Sequence, residues 1–434
     1  MELYSGNQHY KLYHGNMLDM GQVIEGWTID SIVTDPPYWL TSTVKRFGKE
    51  NSAPNQYWKD GSFARLTKWF MGKEWDGSWI EYNIDAWRKC FEALKPWGYL
   101  LAFWWSRTYH RIACAIEDAG FEIRDCIMWL YGSWFPKSLN IWLAIDKKNW
   151  VESEVVWEWK SWVSSRAYQS EEQTTAGEYQ IKKATNEWAW WGTALKPSYE
   201  PIIVARKPLE WSCTDNVIKY WVGGINIDGC RVETDDNLNG GAYSKWEYDT
   251  SDNVYKLWLK RIEWQYEQPQ GRFPANTILT YWDDDKEEVC WWFHNNEQRY
   301  YYTAKASKRD RDEGLDGFEA KTKVFNWQSS KSSEDMKDVE KRFTTVGRNT
   351  HPTVKPTDLM QYLVRLVTPN GWTVLDPFNW SGSTWKAVMY ENKDRNKNYK
   401  YIWIELTDEY LPIAKARIEY VLNAGGDLKE VPLF

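Results

Sequence analysis

Asp35-Pro36-Pro37-Tyr38 places a carboxylate, two consecutive prolines and an aromatic ring directly after the apolar run Ile29 to Thr34. An amine attached to a heteroaromatic ring is a poor nucleophile, because its lone pair is delocalised into the ring. A carboxylate and a rigid carbonyl accepting its two N–H bonds push the nitrogen toward a pyramidal, nucleophilic geometry. The prolines hold that carbonyl outward, and the tyrosine offers a face on which a flat ring can stack. Without context, the same four residues also describe a proline-stiffened turn. A second group runs Val374-Leu375-Asp376-Pro377-Phe378-Asn379-Trp380-Ser381-Gly382-Ser383-Thr384-Trp385: an apolar strand, a loop of small residues, then a helix start. Such a loop lets a ligand approach backbone N–H groups at a helix N-terminus, although the pattern alone is generic to α/β proteins. Third, Glu405 closes the run Tyr401 to Glu405, where a carboxylate can accept from ribose hydroxyls; alone it reads equally well as surface.

The elements that must position these groups alternate. Ile29 to Asp35 reads as a buried strand, Asp85 to Leu94 as a helix, Tyr99 to Phe103 as a strand, Thr108 to Ala119 as a helix and Glu122 to Leu130 as a strand. Pro201 to Ala205 is another apolar strand, able to pair with 122–130. Leu359 to Val367, Thr373 to Leu375, Tyr401 to Glu405 and Glu409 to Leu422 read as helix, strand, strand and helix. This is an α/β class with a mostly parallel sheet. We divide the chain into residues 1–131 with 200–206 as one half of a domain, an irregular insertion at 132–199, a second insertion at 207–350 with a mobile stretch at 320–345, and residues 351–434 as the other half.

Together the three motifs resemble the amino-group DNA methyltransferases in their permuted, class beta order. The two aspartates stand 341 residues apart (35 to 376), leaving ample length for a recognition region between them. His351-Pro352-Thr353-Val354-Lys355-Pro356 is similar to the segment opening the cofactor half of that family, and Tyr13-His14-Gly15-Asn16-Met17-Leu18 resembles one lining the cofactor adenine, with Asn16 where the family has Asp. The resemblance implies a Rossmann-like, seven-stranded S-adenosylmethionine-dependent methyltransferase sheet with an inserted target-recognition region at 207–350. It implies double-stranded DNA as partner, a flipped target base and direct transfer without a covalent intermediate. Asp35, Pro36, Pro37 and Tyr38 become the catalytic set. S-adenosyl-L-methionine would be held by Asn16, Met17, Thr34, Thr353, Lys355, Asp376, Pro377, Phe378, Asn379, Ser381, Gly382, Ser383, Thr384 and Glu405. Family members with Asp at the first motif position mostly modify N6 of adenine and those with Ser mostly N4 of cytosine, so adenine is favoured and cytosine stays open.

A net charge of −7 and a pI near 5.5 argue against a coat of phosphate-binding charge while leaving room for a local groove. Lys45, Arg46, Lys49 and Lys59, then Lys305, Lys308 and Arg309, are the candidates for DNA-backbone contact. The six cysteines form no CxxC pair and the five histidines no ligand cluster, so no metal is expected and the thiols read as reduced, mostly core. With no leader-like segment and no apolar run near 20 residues, a cytoplasmic protein is expected. Whether a restriction enzyme accompanies it is not written in the sequence.

One figure is abnormal: 33 Trp exceed 26 Gly. Trp39, Trp97, Trp380 and Trp385 stand where the family carries glycine, and Trp27, Trp150, Trp372, Trp104, Trp105, Trp291 and Trp292 fall in turn-like text that becomes Gly-Gly, Asn-Gly and similar punctuation once glycine is substituted. Such a pattern arises when UGA, read as glycine by the source, is translated as tryptophan. Trp75, Trp87, Trp129, Trp188 and Trp191 match tryptophans of the family. The competing reading is a surface for stacking single-stranded nucleic acid. Taken literally, Trp380 predicts a blocked cofactor site and a catalytically silent DNA-binding relative.

Overall fold

The computed structural model describes residues 1–38, 79–131, 138–151, 153–161, 177–195, 198–234, 238, 246–248, 259–261, 270–281, 300–304, 306–325, 343–351 and 353–423. Its main sheet takes ten strands, which in chain order are β1 (Glu2–Gly6), β2 (Tyr10–His14), β3 (Ile29–Thr34), β4 (Leu94–Phe103), β5 (Glu122–Leu130), β6 (Tyr199–Arg206), β7 (Thr277–Tyr281), β8 (Tyr301–Ala304), β9 (Thr373–Asp376) and β10 (Lys400–Glu405). Across the sheet they run β1-β2-β10-β9-β3-β4-β6-β5-β7-β8. The helices are α1 (Ile84–Ala93), α2 (Tyr109–Asp118), α3 (Ile141–Asn149), α4 (Cys213–Tyr220), α5 (Lys308–Asp312), α6 (Thr357–Val367), α7 (Ser383–Asp394) and α8 (Leu411–Asn423).

Seven strands, β2-β10-β9-β3-β4-β6-β5, form the expected methyltransferase sheet: six run parallel and β6 runs against both of its neighbours. The sheet is longer than expected, because β1 extends one edge and β7 and β8 the other. Both added strands on that far edge lie inside 207–350, the stretch read as an insertion. Their buried threonines Thr280 and Thr303 dilute the apolar signal, and a strand of four or five residues shows little periodicity.

Every residue of β3 is buried, as a strand covered on both faces must be. Alternation distributes the side chains: Val33, Leu101 and Phe103 enter one core with α6, α7 and α8, while Ile32, Leu100 and Ala102 enter the other with α1 and α2. Side-chain caps start the helices, Asn83 accepting from Asp85 N at 2.9 Å before α1 and Ser212 from Asp215 N at 3.1 Å before α4.

Strand order reverses between β9 and β3, which pair in parallel through Val374–Ser31 and Leu375–Ile32. From there β10 and β2 build one way and β4 the other. A crevice opens at the C-terminal ends of strands at such a switch point. Here those ends carry Asp376 and, one residue past β3, Asp35.

Two compact units divide the chain, the first comprising 1–131, 199–318 and 349–434 and the second 132–198 and 319–348. The second holds α3, an antiparallel hairpin of Val155–Ser161 with Gly177–Lys182, and another of Lys321–Phe325 with Phe343–Gly347. The described residues of 132–199 thus include regular elements. Polar bonds, invisible to hydrophobic periodicity, organise them: Asn140 caps α3 at Leu143 N (3.3 Å), and buried Asp146 accepts from Ser153 Oγ (2.9 Å), Thr185 Oγ1 (2.5 Å) and Asn186 Nδ2 (3.1 Å). Of the stretch 320–345, residues 326–342 lie outside the described ones.

Candidate active site

Asp35 emerges from β3 with its carboxylate divided between two donors: Tyr38 Oη gives a hydrogen bond to Oδ1 at 2.7 Å and Lys355 Nζ to Oδ2 at 2.7 Å. Pro36 and Pro37 are buried, which fixes the turn. Lys355 also reaches Tyr38 Oη at 3.1 Å and Glu200 Oε2 at 3.5 Å. Burial works against the Lys355 ammonium, yet the Asp35 and Glu200 carboxylates outweigh it and hold the lysine above its ordinary range. Burial first, then the same two carboxylates, drives the Tyr38 phenol well above its usual value, so it stays a neutral donor.

The second wall comes from β9. Asp376 accepts from Thr34 Oγ1 and Thr384 Oγ1, each at 2.6 Å, and from Phe378 N at 3.1 Å, so it ties the end of β3 to the start of α7. Burial lifts its carboxyl to about 6 despite those bonds. Glu405, at the end of β10, accepts from Trp380 N at 2.6 Å and Thr407 N at 2.8 Å; burial pushes it up to about 8. The loop is anchored from below by buried Arg417, whose guanidinium donates to Ser381 O at 2.5 Å and Asp310 O at 3.1 Å. Asp310 in turn binds Lys386 Nζ at 2.7 Å and caps Thr357 N at 3.0 Å.

A cavity between the walls is lined by Asp35, Thr353, Lys355, Met360, Asp376, Phe378, Asn379, Trp380, Ser381, Ser383 and Thr384. Its polar lining suits a ligand rich in donors: Asn379 Oδ1 is buried with no hydrogen-bond partner among the described residues. Its size does not. The free volume is about 10 Å³, room for roughly one water. The Trp380 indole crosses the gap, donating from Nε1 to the Asp35 carbonyl oxygen at 2.6 Å and packing against His351 with ring centroids 5.2 Å apart. A nucleoside-sized cofactor does not fit the cavity with this indole in place.

Residues 29–416 match the model of the N6/N4 methyltransferase family, described as DNA methylase. The chain belongs to the N6/N4 DNA methylase family. Among curated proteins, the Type II methyltransferase M.HindIII of Haemophilus influenzae is 25% identical over 189 residues, 43% of this chain and 47% of that protein. This chain thus spans about half the length of the curated relative it matches. Among solved structures, the M1.HpyAVI–SAM complex shares 15% identity, covering 94% of this chain and 98% of that one with a TM-score of 0.34. The cytosine-N4-specific PvuII DNA methyltransferase shares 11%, covering 96% and 91% with a TM-score of 0.41.

In this chain the fold brings Asp35, Thr353, Lys355, Asp376, Phe378, Asn379, Ser381, Ser383 and Thr384 to one cavity. Thr34 stands behind it on Asp376, and Pro377 and Gly382 are buried within the loop. Asn16 and Met17 follow β2, whose His14 pairs with Glu405; Asn16 accepts from Leu18 N at 3.0 Å as the cap of a short 3-10 helix, and Met17 is buried. Lys308 and Arg309 are exposed on α5, away from the cavity lining. Lys45, Arg46, Lys49, Lys59, Lys305, Trp39 and Pro352 lie outside the described residues. The thiols are less buried than expected: among the described cysteines Cys90 and Cys230 are buried, Cys126 is intermediate, and Cys114 and Cys213 are exposed. No group of three metal-binding side chains occurs among the described residues, and no helix among them is long and apolar enough to cross a membrane.

Sequence reading missed Glu200, Met360 and the Asp310–Lys386–Arg417 network. Glu200 has no local signal, since only the reversed strand β6 carries it to Lys355. Lys386 and Arg417 were detectable in principle as charges on the apolar stripes of two helices.

Proposed function

We propose that this chain transfers a methyl group from S-adenosyl-L-methionine to an exocyclic amino nitrogen in double-stranded DNA, with N6 of adenine as the target. The observation that carries the reading is Asp35-Pro36-Pro37-Tyr38 at the mouth of a switch-point crevice, in a chain of the N6/N4 DNA methylase family. The Asp35 carboxylate is the acceptor for one amine N–H, and a proline-stiffened backbone carbonyl beside it is assigned to take the other. Tyr38 supplies a ring face for the flipped base. Lys355 holds the Asp35 carboxylate in place while its amine partner is absent. Asp, rather than Ser, at the first motif position favours adenine. Lys308 and Arg309 are assigned to DNA-backbone contact.

Unmethylated DNA incubated with the protein and tritiated S-adenosyl-L-methionine should acquire N6-methyladenine, identified by nucleoside analysis. Asp35→Ala should lower the rate by about 100-fold or more. Label that persists in Asp35→Ala removes the assigned role, and label in N4-methylcytosine moves the target to cytosine. The closed cavity favours one second reading, a silent DNA-binding relative; DNA binding without cofactor binding in calorimetry would establish it.

A further inference from the structure

Eight described residues other than glycine hold a positive φ, and seven of them are tryptophan: Trp27, Trp79, Trp97, Trp150, Trp190, Trp221 and Trp380, with φ between 53° and 69°. The eighth is Asn396. In this left-handed region Cβ crowds the neighbouring carbonyl oxygen; asparagine tolerates that, and a bulky aromatic residue is a genuine outlier. Burial does not compensate: Trp150 is 93% exposed and Trp190 94%, and Trp27, Trp79 and Trp221 are also exposed.

Several of these positions are those that chain geometry reserves for glycine. Trp150 and Trp221 are the left-handed residues that end α3 and α4, their N–H groups returning to the carbonyls of Asp146 and Val217. Trp97 lies between Leu94 and Tyr99, where the pairing of β4 with β3 shifts register by three residues. Trp380 lies in the loop between β9 and α7, where a ligand must approach backbone. A second observation does not depend on dihedral angles. The buried indole N–H of Trp97 finds no acceptor among the described residues. By contrast, Trp87 and Trp129, both outside the positive-φ set, donate to the Glu81 carbonyl at 2.8 Å and the Thr280 hydroxyl at 2.7 Å.

We propose that the functional protein carries glycine at 27, 79, 97, 150, 190, 221 and 380, encoded by UGA codons that its source reads as glycine, and that the absence of a side chain at 380 is what opens the cofactor cavity. Removing that indole frees the space between Asp35 and Asn379 and releases the Asp35 carbonyl. The cavity half of the proposal rests on the methyltransferase reading; the codon half does not.

The gene and the protein isolated from its source test the first half. UGA is expected at the seven positions and UGG at Trp87 and Trp129, with peptide masses showing glycine at the former and tryptophan at the latter. UGG codons or tryptophan masses at the seven positions overturn it. For the second half, two chains are made with glycine at the other six positions, one retaining Trp380 and one carrying Trp380→Gly, so that general folding is common to both. Calorimetry with S-adenosyl-L-methionine should show binding about 100-fold or more tighter for Trp380→Gly, and equal affinity overturns the gating role. Glycine masses combined with no binding by either chain overturn the cavity half together with the methyltransferase reading, while supporting the codon half.

Discussion

Lys355 sits between two carboxylates, Asp35 at 2.7 Å and Glu200 at 3.5 Å, in a place closed to solvent. The ammonium pairs with both carboxylates, and its hydrogen bond to Oδ2 fixes the orientation of Asp35. Lys355→Met, which removes the contact that orients the Asp35 carboxylate, should lower kcat/KM by about 10-fold or more, which steady-state kinetics of both proteins will read. The Asp35 tetrad and the β9 loop were legible because their residues are contiguous and follow apolar strands. The lysine's second partner was not, because Glu200 reaches it only through the reversal of β6, a tertiary fact with no trace in neighbouring residues. Trp380 was legible as an obstruction, since a bulky side chain in a ligand loop conflicts with the loop's purpose whatever the surrounding fold.

At the level of elements, the central strands announced themselves by continuous burial and the helices by apolar stripes, so their ends fall within a few residues of expectation. The Asp146-centred unit did not, because side-chain hydrogen bonds rather than apolar periodicity organise it. The same helices expose the tryptophan problem energetically. A left-handed non-glycine residue costs about 1–2 kcal/mol, against about 0.5–1 kcal/mol of extra entropy that glycine loses on folding. Seven such residues therefore total on the order of 10 kcal/mol before that offset, comparable with the whole stability of an ordinary domain. Trp150→Gly and Trp221→Gly should each stabilise the unit that contains them by about 0.5–1 kcal/mol, seen as a higher urea midpoint at unchanged slope. Trp87→Gly, which removes a fully buried ring, should instead cost about 3–5 kcal/mol.

For the molecule as a whole, two buried carboxyls give stability a definite pH dependence. Burial raises Glu405 to about 8 and Asp376 to about 6, so the folded chain keeps protons that the unfolded chain releases. The associated stability is fully present below the unfolded values, near pH 4, and is lost as pH climbs through about 6 and then about 8. Urea midpoints should fall between about pH 5 and pH 8.5, and Glu405→Gln should flatten the upper part of that decline. An unchanged midpoint across this range would show that neither carboxyl keeps its proton. The permuted order also has a consequence for the gene. β3 and β9, the two walls of the crevice, are synthesised some 340 residues apart, so the crevice has a single wall until β9 has been made. A product ended early is inert however well its first half folds. If the seven positions are UGA codons as proposed, a cell that reads UGA as stop would end the chain at residue 27, before either wall is made, so the gene's product would be confined by the genetic code as well as by the site.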